Sequence, residues 1–395
     1  MKILVTGANG IIGANLVREL RADGHEVRAL IREKSDLRSL DGLDVQIVVG
    51  DVLQPDSLAS AAAGCELLFH AAAVFSYWSH AASELKKIAV EGTVNVVHAA
   101  RRTKVRRVIL TSSSVVFGSG TEKVIRDEMG EFNETDAYSI AKAAQEKEAF
   151  AHAEKVGVQL VAVCPTMSVG PHDYRLGPSN AIICAYLNDP FKVTFPGGIN
   201  IVSVRDVARG HILLAQSGRS GFRYLLGSEN LEWSTVHQII SELCGVPGPN
   251  SRANHTTSYL AATALEILAS FTGKPPLSTR AQAKMVGRYY WYGHNRAAKL
   301  GYAPRPAREA LADAIGWLLS TSHISMTLRG TLKISPEVYD AWRVHENSES
   351  RFKSNKVTAK TPPHREHQNH HRTQTSDRTR LDHDSRSSAR NRPIA

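Results

Sequence analysis

The first 165 residues alternate short apolar runs with stretches whose apolar positions recur at helical spacing. Lys2–Thr6 reads as a strand. Glycines follow, then a helix that gathers Ile12, Leu16, Val17 and Leu20 on one face until Gly24 breaks it. Glu26–Ile31, Val45–Val49 and Glu66–His70 read as the next three strands. The pattern then predicts a long helix near Ser83–Arg102, a strand at Arg107–Thr111, a helix over Asp136–Val156 and a strand at Gln159–Cys164. Alternation at this spacing predicts an α/β fold, a doubly wound parallel sheet with helices on both faces. Beyond Pro165 the pattern loosens. Loops rich in Gly and Pro (Gly170–Pro178, Phe195–Gly198) interrupt helices near Arg205–Gln216, Ser234–Cys244 and Ala307–Leu319. Tyr259–Phe271 is apolar and helical, but it is short and Glu266 interrupts it. It is expected to be buried or to line a pocket rather than to enter a membrane.

Composition adds little to this picture, because 42% apolar and 22% charged residues are ordinary for a globular chain. Charge adds more. Of the net +10, seven charges fall in residues 351–395, where eleven Lys/Arg face four Asp/Glu, so the body is close to neutral. That segment also holds five histidines and few large apolar residues. It cannot bury enough surface to offset its ordering entropy, and 345–395 is expected to be a disordered basic tail without a specific nucleic-acid partner. The four cysteines are scattered, with no CxxC pair, so no metal site is expected. Without a secretory signal pattern or a long apolar run, the chain is expected to be cytoplasmic, with no membrane span.

Candidate chemistry begins directly after the first strand. Thr6-Gly7-Ala8-Asn9-Gly10-Ile11-Ile12-Gly13 joins a strand to a helix, with glycines where a pyrophosphate would approach the backbone and where helix would pack on strand. The helix N-terminus then offers free N–H groups to the anion. The cofactor-binding set expected here is Gly7, Asn9, Gly10, Ile11, Ile12 and Gly13. The second strand ends in Ile31 rather than a carboxylate, with Arg32 next and Lys34 close by. A cation there suits a 2′-phosphate, so NADP(H) is preferred, with NAD(H) still possible. Asp51 and Val52 end the third strand, where Asp51 could meet the adenine amino group.

Tyr138-Ser139-Ile140-Ala141-Lys142 opens a helix, and residues four apart share a face, so phenol and ammonium can point into one cleft. Of eleven tyrosines, only Tyr138 has Lys four residues on. A phenol needs a large drop from its usual pKa of about 10 to act as a base near neutrality. The Lys142 cation, helped by a nicotinamide, is the expected source. Upstream, Ser112, Ser113 and Ser114 follow a strand end, where a hydroxyl can stabilise charge developing on a substrate oxygen. Ser113 is the first choice, and the catalytic set expected is Ser113, Tyr138 and Lys142.

The glycine loop, GDV, HAAA (His70–Ala73), VEGT (Val90–Thr93), SSSVVFG, YSIAK and CPTMSVGP resemble the extended short-chain dehydrogenase/reductase superfamily. GHEVRALIR, INIVSVRDVARGH and GRYYWY resemble its dihydroflavonol-reductase-like branch, which also holds hopanoid-associated sugar epimerases and relatives of 3β-hydroxysteroid dehydrogenases. The resemblance covers about residues 1–320. It implies a Rossmann domain over 1–165, with segments near 199–227 returning to it, and a mainly substrate-binding region over 166–325. It places Ser113 at the catalytic serine, 25 residues before Tyr138. It gives Lys142 the nicotinamide ribose, sets Pro165 beside the nicotinamide, and lines the cofactor channel with residues 68–73, including Ala71, Ala72 and Ala73. Where that family usually has Asn, before VxGT, this chain has Ala89. His70 is expected to be structural. Tyr77, Trp78 and Arg175 fall in segments expected to form the substrate pocket, and a homodimer is implied through the two long helices.

Carbonyl reduction or its reverse is the leading expectation for this set of residues. A dehydratase typically carries Asp-Glu after the catalytic Ser/Thr, and Ser114-Val115 stands there instead. A nucleotide-sugar epimerase usually has an Arg/Asn-rich segment before GP, and CPTMSVGP lacks it. A 3β-hydroxysteroid dehydrogenase-like activity and a non-catalytic NADP-binding sensor or scaffold complete the alternatives.

Overall fold

The computed structural model describes residues 1–73, 82–272 and 279–346. The strands are β1 (Lys2–Thr6), β2 (Glu26–Ile31), β3 (Gln46–Val49), β4 (Leu67–His70), β5 (Arg107–Thr111), β6 (Gln159–Pro165), β7 (Met167–Val169), β8 (Val193–Thr194), β9 (Gly198–Ser203), β10 (Arg223–Leu226), β11 (Glu229–Glu232), β12 (Ser251–Arg252) and β13 (Tyr289–Tyr290). The helices are α1 (Ile11–Ala22), α2 (Pro55–Ala62), α3 (Ala82–Arg102), α4 (Ala137–Val156), α5 (Pro178–Asn188), α6 (Val204–Ser217), α7 (Trp233–Cys244), α8 (His255–Thr272), α9 (Arg280–Ala283), α10 (Asn295–Ala298), α11 (Ala307–Ser320) and α12 (Met326–Thr331).

Seven parallel strands form one sheet in the order β10-β6-β5-β4-β1-β2-β3. Its central strands read as near-continuous apolar runs because both faces are covered. On one face Leu16, Val17 and Leu20 of α1 pack with Val207 and Leu214 of α6 over Val5, Phe69 and Ile109. On the other, Leu58 of α2, Val96 and Val97 of α3 and Ala149 of α4 cover Leu4, Leu68 and Leu110. The strand order reverses between β1 and β4, where Thr6 pairs with His70. A crevice opens at such a point, beyond the C-terminal strand ends.

A third cluster lies under α5, α7 and α11, with Trp233, Ile240, Tyr292 and Trp317 among its buried members. β9 organises this region, pairing with β7, β11 and β13. The chain returns to the main sheet at β10. Residues 336–346 are helical, and the buried His345 binds Asp313 at 2.8 Å. The first two residues of the expected tail therefore belong to a docked helix, fixed by a hydrogen bond that composition does not reveal. Residues 347–395 lie outside the described residues. No helix among the described residues is long and apolar enough to cross a membrane.

Candidate active site

The turn after β1 is built on close backbone contacts. Gly7 has φ +66°, in the left-handed region that favours glycine, and a Cβ on it would sit 2.5 Å from the Ala72 nitrogen. A Cβ on Gly13 would sit 2.2 Å from the Gly7 oxygen, so α1 rests directly on the turn. Gly10 caps α1 with no side-chain hydrogen bond, leaving the first N–H groups of the helix open. This cradle fits a pyrophosphate. Asn9 is tied back through its Nδ2 to the Asp36 carbonyl at 3.1 Å, which braces the turn. Ile31 is buried, whereas Arg32 and Lys34 are exposed beyond the strand end. One Asp51 carboxylate oxygen already accepts from Leu53 N–H at 2.9 Å, so that group helps to shape its own loop.

Asp136 accepts from Ser139 N–H at 2.9 Å, which caps α4 and fixes where Tyr138 and Lys142 emerge. The three serines after β5 separate by partner. Ser113 bonds the Tyr138 hydroxyl, Ser114 bonds Tyr292, and Ser112 approaches Cys164. Burial pushes the Tyr138 phenol up to about 12. The Ser113 hydrogen bond opposes this, and the Asp136 carboxylate adds to it. The expected lowering by Lys142 is therefore not the dominant influence on the phenol. The Lys142 ammonium donates instead to the Thr111 carbonyl and to Gln145 Oε1, both at 2.9 Å. Burial brings that ammonium down to about 8, while Cys164 and Glu146 act to raise it. His70 is buried and hydrogen-bonded on both ring nitrogens, to Thr6 and Thr93. Burial, helped by the Lys142 charge, pulls its imidazole down to about 3, so it stays neutral.

Ser112, Ser113, Ser114, Tyr138 and Pro165 form part of the wall of a cavity of about 950 Å³ that also reaches Ile11 and Ile12. Its deeper wall comes from Tyr186, Phe195, Ile199, Trp233, Met285 and Tyr290, and α8 closes one side with Ala261, Ala262 and Leu265. α8 is thus a pocket-lining helix, as its pattern predicted. Leu260, Ile267, Leu268 and Phe271 on its other face are exposed. Among the described residues of the wall there is no Lys or Arg. Its only carboxylates are Asp173 and Asp189, and burial holds His237 neutral by pulling it to about 4. Arg175 is exposed and not part of this wall. Tyr77 and Trp78 lie outside the described residues. Sequence reasoning did not find Gln145, Phe195, Trp233 or Tyr290. They come from separate segments, and although Tyr290 falls in the GRYYWY stretch, no local pattern assigns any of them to the site, so only the tertiary fold brings them together.

Residues 3–227 match the NAD dependent epimerase/dehydratase family. The chain is 32% identical over 328 residues to a protein of Synechocystis sp. provisionally named as a dihydroflavonol 4-reductase. The match covers 81% of this chain and 95% of that one. It is 32% identical over 331 residues to sterol demethylase protein B of Methylococcus capsulatus, covering 80% of this chain and 98% of that one. Among solved structures, that of gox2253 superposes with a TM-score of 0.72 at 34% identity, covering 82% of this chain and 99% of the other.

Proposed function

The chain belongs to the NAD dependent epimerase/dehydratase family and is an NAD(P)-dependent oxidoreductase of the extended short-chain type, and from that premise we propose that it uses NADP(H) to reduce a ketone, or oxidise a secondary alcohol, on a neutral apolar substrate. The observation that carries this reading is the cavity wall: Ser113 and Tyr138 line a largely apolar chamber whose described wall residues include no Lys or Arg. A nucleotide-sugar diphosphate would leave its charges unpaired there, next to two carboxylates. A neutral ring system or chain would instead be stabilised by about 25 cal/mol for each Å² of apolar surface it buries. The similarity to the Methylococcus sterol demethylase protein B supports a substrate of the same apolar kind, a 3β-hydroxysteroid-like alcohol included.

Bound cofactor supplies or accepts the hydride. In the reducing direction Ser113 hydrogen-bonds the substrate carbonyl, and Tyr138 protonates the alkoxide as it forms. A phenol raised to about 12 is protonated across the neutral range and is ready to donate. Lys142 holds the ribose side of the site with its third N–H. Purified protein should consume NADPH with neutral polycyclic or long-chain ketones and leave UDP-sugars unchanged. Interconversion of UDP-sugars without net cofactor change would overturn the proposal. So would NADPH binding without turnover of any ketone.

Two further outcomes test the assignment of residues. Ser113→Ala should lower kcat/KM by about 10²-fold, the usual worth of one donor to a developing oxyanion. Ser112→Ala and Ser114→Ala, whose hydroxyls face Cys164 and Tyr292, should stay within a few-fold. Equal losses in all three would remove Ser113 from its role. Arg32→Asp should reverse cofactor preference. NADPH then loses a charge-assisted contact and meets a carboxylate, while NADH gains a ribose partner. The ratio of kcat/KM for NADPH over NADH is expected to fall by about 10²-fold, since each charged hydrogen bond is worth roughly 1.5–3 kcal/mol. An unchanged ratio would show that Arg32 is only a surface residue.

A further inference from the structure

We propose that Gln145 is the positioning residue for the Lys142 ammonium, locked in place by a buried hydrogen-bond chain that runs through Thr93 and His70 to Thr6 at the head of the glycine turn. Lys142 Nζ donates to Gln145 Oε1 at 2.9 Å, and Gln145 Nε2 donates to Thr93 Oγ1 at 2.7 Å. Thr93 Oγ1 meets His70 Nε2 at 2.9 Å, His70 Nδ1 meets Thr6 Oγ1 at 2.7 Å, and Ala72 N–H donates to Thr6 Oγ1 at 3.4 Å. None of the five side-chain members is more than 4% exposed. Four elements contribute: β1, β4, α3 and α4.

The polarity of the chain is set by chemistry. An ammonium has no acceptor, so Gln145 must turn its oxygen to Lys142 and its NH₂ group to Thr93. Thr93 fixes that orientation, and the neutral His70 holds Thr93. With Thr111 and Gln145 each taking one N–H, a single direction remains for the third. The resemblance to extended dehydrogenases places an asparagine where this chain has Ala89. A carboxamide reaches the ammonium nonetheless, from the next turn of α4.

The charged form of Lys142 therefore depends on Gln145 as well as on the other groups around it. Those are Glu146 from α4, Cys164 from β6 and His70 from β4, with Arg223 of β10 paired to Glu146 at 3.1 Å. Removing an acceptor from a buried ammonium favours its neutral form, and placing a carboxylate there favours the charged form. The test is the titration of the Lys142 Cε resonance in full-length protein labelled with ¹³C-lysine, the signal being assigned by its loss in Lys142→Met. Against a wild-type midpoint near 8, Gln145→Leu should move it down by about one unit and Gln145→Glu up by about one unit. Thr93→Val leaves both acceptors on Lys142 but unties the amide, so it should give a smaller downward shift. A packing role alone would give no shifts of opposite sign. If Gln145→Leu does not fold, the other two variants still decide.

The proposal rests on the oxidoreductase reading only for its kinetic counterpart. There the alkaline limb of NADPH-dependent turnover should move in the same directions. Opposed shifts in the resonance without turnover would leave Gln145 in place and sink the reductase reading. Midpoints that coincide in wild type, Gln145→Leu and Gln145→Glu would overturn the proposal itself.

Discussion

Tyr138→Phe is expected to lower kcat/KM for ketone reduction by about 10³-fold, within the usual contribution of a positioned proton donor. That loss corresponds to roughly 4 kcal/mol of transition-state stabilisation. The substitution removes one oxygen from a half-buried ring and leaves the ring's packing in the cavity wall. Melting temperature and NADPH affinity should therefore change little, and the loss should appear in turnover. The pH dependence should differ as well. Wild-type reduction needs the phenol protonated, which holds across the neutral range for a group near 12. Oxidation of the alcohol needs the phenolate, so it should rise with pH through the neutral range and above. In Tyr138→Phe the rise attributable to the phenol should disappear. A residual rate within about tenfold of wild type would move proton transfer away from Tyr138, since a positioned donor normally contributes 10²–10⁴-fold.

The sheet was legible because its signal is local. β1, β2 and β5 were bounded to the residue, since each is a short apolar run closed by a turn. Both long helices were placed within a residue or two, since Gly157 and the Asp136 cap mark the ends of α4. The region after Pro165 was not legible in the same way. β9 is buried along its whole length and pairs with three short partners from distant segments, so it shows neither alternation nor a neighbouring hairpin. α5 was missed because Pro178 and its preceding glycines read as loop, although Pro is well tolerated in the first turn of a helix. For the candidate site, the glycine turn and the Tyr138/Lys142 pair are each a local pattern, so the sequence alone singles them out as candidates. The choice of Ser113 over its neighbours depends on which distant side chain each hydroxyl meets. The phenol's acidity could not be read from the Tyr–Lys spacing, because burial is the largest influence on it and raises it.

Gly13→Ala sets two effects of opposite sign against each other. Alanine is the better helix former by about 1 kcal/mol, so propensity alone predicts a more stable α1. The new Cβ, however, would meet the Gly7 oxygen at 2.2 Å, the Gly7 carbonyl carbon at 2.8 Å and Ala8 Cα at 2.9 Å. All three are backbone atoms, so no side chain can rotate away. Either α1 lifts from the turn or the turn shifts. Gly7 cannot shift far, because its own Cα faces Ala71 and Ala72 at the end of β4. Overpacking of this kind costs about 1–3 kcal/mol, and more where backbone must move. The clash should win, giving a net loss of about 2 kcal/mol and a lower melting temperature. Cofactor binding should suffer more than stability, because the displaced atoms are those that present the N–H groups of α1 to the pyrophosphate. NADPH affinity measured by nicotinamide fluorescence should fall by at least about 10²-fold, a change of roughly 2.7 kcal/mol. Added NADPH should then raise the melting temperature of the variant much less than that of wild type. A variant that melts higher than wild type and still binds NADPH would show that helix and strand can separate here at no cost, and the glycine turn would lose its claim as the seat of the cofactor.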